Sequence, residues 1–216
     1  MLYPLKFKPI LKDRIWGGEK LKTKFKKNIG KNKTCGESWE ISGIEDNISV
    51  VKNGYLKDNS LQDLIEVYMG DIVGEKVYQQ FGIEFPLLIK FIDAKDILSL
   101  QVHPNDELAK KRHNAYGKTE MWYVIESEED AEIITGFSRN TSKEEFNTLL
   151  QNNAVDELLN TERTNEGDVY FLPAGRIHAI GAGNFLAEIQ QTSDVTYRIY
   201  DWGRKDSNGK ARDLHT

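Results

Sequence analysis

Many short apolar runs, several of them closed by glycine or proline, set the strongest limit on what this chain can fold into. Ile97–His103 stops at Pro104, which has no N–H to give to a β-ladder. Phe85–Asp93 is continuously apolar apart from Lys90, the pattern of a strand covered on both faces. Gly167–Pro173, Phe185–Gln190 and Asp194–Asp201 read as further strands, and Met121–Ile125 as another, with Ala131–Gly136 continuing it as a hairpin. Gly36–Ser42 sets Ser38, Glu40 and Ser42 against Trp39 and Ile41, which predicts a half-buried strand.

Two blocks change period. Leu61, Leu64, Ile65, Tyr68, Ile72, Val73, Val77 and Phe81 recur at three and four, which predicts one helix from Ser60 to Gly82. Ser60 with Asp63 is its start signal and Gly82 its stop. Ser142, followed three residues later by Glu145, opens a second helical block to Leu159. Asn105 caps a short helix to Arg112. Regular strand–helix alternation is missing, so a parallel α/β sheet is excluded. The pattern predicts a mainly β protein, a jelly-roll sandwich or barrel, with helical insertions at about 60–82 and 142–160.

Charge and composition narrow the function. With 39% hydrophobic and 29% charged residues the chain can bury a proper core, and its net charge of -5 argues against nucleic acid as a partner. Cys35 is the one cysteine, read as a small buried apolar residue, so no internal disulfide forms. The N-terminus lacks a secretory apolar core, and no window approaches the ~20 apolar residues of a membrane span. A cytoplasmic location is expected. The Lys- and Asn-rich stretch from Lys20 to Thr34 reads as a solvated loop, and Gly203–Lys210 as a hairpin or loop. Ala211–Thr216 breaks off without a stop signal, so the protein is expected to continue, or to be the short form of something longer.

One chemistry stands out. On a strand, Gln101 and His103 share a face while Val102 points the other way. His178 follows a tight turn, Pro173-Ala174-Gly175, that aims its imidazole back over a sheet. With Glu120 these residues offer two nitrogens and two oxygens, a donor set suited to zinc and its neighbours. Each has a bland alternative as a hydrogen-bonded or surface residue. Arg198 lies mid-strand, where a guanidinium is expensive unless it meets an anion or a carboxylate. Lys118, two residues before Glu120, would share its face. His113 and His215 read as surface residues.

These residues resemble a known family. Gly167-x5-Pro-x-Gly-x2-His178 is similar to the second cupin motif, with Ala182 where an Asn is expected and Asn184 nearby. Gln101-x-His103, with Glu120 displaced by an insertion, is similar to the first cupin motif as it stands in type I mannose-6-phosphate isomerases. Gly36–Ser42, Leu98–Asp106, Gly117–Tyr123 and Thr196–Arg204 resemble that family's blocks, closest to its short bacterial class. The resemblance implies a cupin jelly-roll fold over residues 1–216, a further C-terminal β portion after them, and zinc-dependent interconversion of mannose 6-phosphate and fructose 6-phosphate through an enediol. It implies one zinc per chain on Gln101, His103, Glu120 and His178, with Gln101 the least firm. Arg198 matches the active-site arginine. Lys118, Lys90 and Ser99 match positions associated with the substrate.

The residue types suit that reaction. Moving a proton between C1 and C2 needs a base and a cation for the developing oxyanion. Arg198 or zinc would supply the cation, and Glu40, Lys118 or a zinc-bound water the base. A small sugar phosphate is the expected partner of a monomer or homodimer, with neither nucleic acid nor membrane. Two His and one Glu on a cupin also describe a non-haem iron oxygenase, and a non-catalytic sugar-binding cupin is a third possibility.

Overall fold

Leu88, Lys90 and Ile92 are buried on one side of their strand while Ile89 and Phe91 are half-buried on the other, so both faces of this run are covered. The computed structural model describes residues 2–30, 34–205 and 209–215. In chain order the elements begin with β1 (Ile10–Lys12), α1 (Lys20–Thr23), β2 (Glu37–Ser42), α2 (Leu61–Tyr68), α3 (Gly70–Val73) and α4 (Glu75–Phe81). There follow β3 (Leu87–Asp93), β4 (Leu100–Val102), α5 (Asp106–His113), β5 (Glu120–Ser127), β6 (Glu132–Phe137) and α6 (Lys143–Gln151). The chain closes with β7 (Leu159–Arg163), β8 (Val169–Leu172), β9 (His178–Ile180), β10 (Asn184–Gln191) and β11 (Tyr197–Tyr200).

The strands form two antiparallel sheets. One runs β1-β2-β3-β10-β5-β8 and the other β11-β4-β9-β6-β7. A shared core packs them face to face: Ile92, Trp122, Leu172 and Leu186 from the first meet Ile133 and Ile180 from the second. The mainly β sandwich with inserted helices is the architecture expected from the sequence.

Several local expectations need correction. β5 and β6 are not a hairpin pair, because the turn at Glu128–Ala131 carries the chain from one sheet to the other. The 60–82 block is three helices, broken where Met69 and Gly74 take positive φ. Its start is as read, since the Ser60 and Asp63 capping bonds are both present. The second block ends early: α6 stops at Gln151, a 3₁₀ turn spans Val155–Leu158, and β7 begins at Leu159. Ser142 accepts from Glu145 N, but the Glu145 carboxylate turns to Thr141 and Arg139, leaving the box half made.

The Lys-rich segment is no simple solvated loop. Leu21, Phe25 and Ile29 pack on Phe91, Ile125 and Phe185, covering the outer face of the first sheet together with buried Cys35. That cover buries Ser38, so β2 is covered on both sides and not on one. Lys31–Lys33 lie outside the described residues, as do Asp206–Asn208 of the expected terminal loop, which Lys205 and Ala211 bracket with an antiparallel bridge. No helix among the described residues is long and apolar enough to cross a membrane.

Candidate active site

Three ligand-type side chains converge between the sheets. His103 follows β4 and His178 opens β9, both in the five-stranded sheet, while Glu120 opens β5 in the other. Their donor atoms all lie within 4.8 Å of one another, and all three residues are buried. His178 Nε2 stands 3.2 Å from Glu120 Oε1, His103 Nε2 3.4 Å from Oε2, and the two Nε2 atoms 3.2 Å apart.

The outer nitrogens fix what the inner ones can be. His178 Nδ1 is 2.8 Å from Arg176 O and His103 Nδ1 is 3.2 Å from Val195 O. A carbonyl oxygen only accepts, so each Nδ1 carries the proton and each Nε2 presents a lone pair. Burial, with Lys118 nearby, pushes the His103 imidazole down to about 3 and keeps it neutral. Burial opposes ionisation of Glu120, yet the Lys118 ammonium beside it holds its carboxyl below the usual range. Among the described residues, neither Glu120 oxygen receives a hydrogen bond. Two imidazole lone pairs and an orphaned buried carboxylate facing one another repel unless a cation sits among them. The donor set therefore fits a metal ion, and the neighbouring carbonyls do for each ring what second ligand layers do in metal sites.

Beside this cluster lies a cavity of about 470 Å³. Cross-strand register builds its floor. Trp39, Lys90 and Glu188 line it from three neighbouring strands, and the same cross-strand row continues to Trp122 and Tyr170 in the core. Lys90 Nζ is 2.8 Å from Glu188 Oε1, and Trp122 Nε1 donates to Glu188 Oε2 at 2.8 Å. Burial works against the Lys90 ammonium, but Glu188 and Glu37 outweigh it and raise its pKa. Glu37 accepts from Arg14 at 3.0 and 3.2 Å and from Trp39 Nε1 at 2.7 Å.

The sequence-derived candidates fall around this space. Lys90, Ser99, Gln101, Lys118 and Arg198 all line the cavity. Lys118 Nζ lies 3.4 Å from Glu120 Oε2. Arg14, Lys90, Lys118 and Arg212 each have a carboxylate partner. Arg198 is the exception among the described lining cations: it has no ion-pair partner, its Nη1 donates only to Asp213 O, and its Nε is unpartnered. The slip in register between Arg198 and Tyr200 turns Tyr200 into the Ile199 core cluster, so it does not share the face of Arg198 as strict alternation predicts.

Glu40 is removed as a base. It lies with Ser38 on the face opposite the cavity-lining Trp39, bonded to Lys27 Nζ at 2.6 Å and to Ser38 Oγ at 2.5 Å. Asn184 is a structural residue, joined to Thr164, Glu132 O and Gly181 O. His113 and His215 are exposed and contact Tyr197 and Arg198 N respectively. Glu37, Glu188, Arg14 and Gln190 were not evident as site residues. Glu188 and Gln190 alternate inward on β10, but only pairing with β5 reveals what they face.

Fold and site together define a cupin-type sandwich carrying the donor set of a metal site beside a polar cavity. Residues 4–142 match the family described as phosphomannose isomerase type I, catalytic domain. The chain is 44% identical to mannose-6-phosphate isomerase ManA of Bacillus subtilis, over 98% of this chain and 65% of that protein. It is 41% identical to mannose-6-phosphate isomerase of Streptococcus mutans, over 100% and 66%. The crystal structure of the mannose 6-phosphate isomerase from B. subtilis superposes with a TM-score of 0.89 at 38% identity, covering 99% of this chain and 66% of that one. This chain belongs to the type I phosphomannose isomerase family. It spans just under two thirds of the length of these relatives.

Proposed function

We propose that this chain forms the zinc-dependent site of an aldose–ketose isomerase that interconverts mannose 6-phosphate and fructose 6-phosphate through an enediol. The observation that carries the reading is the cation-shaped gap among His103, Glu120 and His178, opening beside a cavity with one uncommitted guanidinium. Two imidazoles and a carboxylate suit zinc, with Gln101 on the cavity wall as the candidate fourth donor. When bound, zinc supplies Lewis-acid stabilisation of charge on a substrate oxygen.

The chain's own groups do the rest. Arg198 holds a fixed positive charge toward the enediolate oxygen. Lys90–Glu188 is paired and buried, and Glu37 is buried with its partner Arg14 at the surface, so both pairs present fixed hydrogen-bonding walls to sugar hydroxyls and not free charges. Ser99 and Lys90 bind substrate in this reading. With Glu40 turned outward, Lys118 is the chain's own candidate for carrying the proton between C1 and C2.

A coupled assay on mannose 6-phosphate, with and without chelator, tests the reading. Turnover lost with the chelator and restored by zinc is expected. The same triad also suits ferrous iron. Iron in the purified chain, with substrate-dependent oxygen uptake and no isomerisation, would replace this reading with an oxygenase.

A further inference from the structure

The two histidines are anchored in different ways. His178 Nδ1 is held by Arg176 O, two residues back in its own turn. His103 Nδ1 is held by Val195 O, 92 residues away in sequence. The direction of the His103 ring therefore depends on where the segment between β10 and β11 places Val195.

Gln190 fixes that segment. Its Nε2 donates to Ser193 O at 2.6 Å and to Gln191 O at 2.8 Å, which uses both amide hydrogens. Val195 N in turn reaches Ser193 Oγ at 3.3 Å. A flipped amide would press its oxygen against two carbonyl oxygens, so the orientation is dictated by chemistry. Gln190 is 1% exposed and is the cross-strand neighbour of Glu120. Its Oε1 has no donor among the described residues. An apolar side chain of the same size would avoid that orphan, so the contribution of Gln190 lies in its two donated bonds.

We propose that Gln190 is a positioning residue for His103: it clamps the Gln191–Ser193 turn, and through Val195 O it aims the His103 Nε2 lone pair at the gap beside Glu120. The proposal rests on the metal reading of the triad. His178, anchored within its own turn, is independent of the clamp.

Zinc affinity of the full chain, stripped of metal and titrated against a competing chelator, tests this. Gln190→Met keeps length and volume and deletes both donors. Affinity is expected to fall by about 10- to 100-fold, the usual size of an outer-layer effect on a metal site. Val51→Ala, a core truncation in the separate cluster around Leu56 and Leu64, should lower stability and leave zinc affinity unchanged. In a His103→Ala background, adding Gln190→Met should change the residual affinity no further. Should Gln190→Met fail to fold, Gln190→Leu also deletes both donors without adding charge beside Glu120 and gives the same comparison. Zinc affinity within twofold of the parent, or an undiminished loss without His103, overturns the proposal alone. A parent chain that takes up no zinc overturns the metal reading and the proposal with it.

Discussion

Replacing Glu37 by glutamine probes how the cavity's charges are held. The carboxylate is 7% exposed and accepts from Arg14 and Trp39. Burial alone would raise its pKa, but Lys90 and Arg14 outweigh burial and bring it from 4.5 to about 2. At ~1.4 kcal/mol per tenfold change, the folded state favours the ionised form by roughly 3 kcal/mol. The direction follows from proton counting. Between about pH 4.5 and pH 2 the unfolded chain binds the proton that the folded chain refuses, so stability rises with pH across this window. The contribution is complete above about pH 4.5 and is lost as pH falls toward about 2. Glu37→Gln removes it at every pH. Urea unfolding followed by tryptophan fluorescence should show a gap of about 3 kcal/mol between parent and variant at about pH 7. The gap should be unchanged at about pH 5 and should close toward about pH 2. A gap that is the same at all pH values, or absent at neutral pH, would refute this account of Glu37.

Other substitutions separate metal, charge and scaffold. His178→Ala should abolish zinc uptake, measured by metal analysis, and nearly all isomerase turnover, because it deletes one of only two nitrogen donors in the triad. Arg198→Ala should retain zinc while kcat on mannose 6-phosphate falls by ~10²-fold or more; full turnover would remove its proposed role. Ser60→Ala deletes the α2 capping bond and should lower unfolding free energy by about 1 kcal/mol with no effect on zinc affinity.

The site was legible in the sequence where chemistry is local. The Pro173–Gly175 turn announces His178, and strand alternation ties Gln101 to His103. The sandwich was legible too, because the apolar runs are many and short and no regular strand–helix alternation joins them. Features that depend on pairing were not. Whether β6 stays beside β5 or crosses to the facing sheet is decided by strands far away in sequence, and the turn at Glu128–Ala131 is compatible with either. Alternation sets Glu40 with Ser38 and opposite Trp39, but which of those faces meets the cavity is decided by the facing sheet. Glu188 and Gln190 look like ordinary polar residues on an alternating strand until β3 and β5 close on β10 from either side. The apolar members of the Lys-rich stretch, Leu21, Phe25 and Ile29, recur every four residues, but only three apolar side chains among so many Lys and Asn do not say which surface they cover.

The division of the triad between sheets has a mechanical consequence. His103 and His178 move with one half of the sandwich and Glu120 with the other. A cation gripped by all three would act as a rivet through the core, joining the two halves at one further point. Prising the layers apart would then release the ion, and releasing the ion would loosen the layers. Bound metal should therefore raise the melting temperature in proportion to the logarithm of its concentration. Heat should take catalytic competence and the fold away in one cooperative step, with no partly opened form in which the site survives.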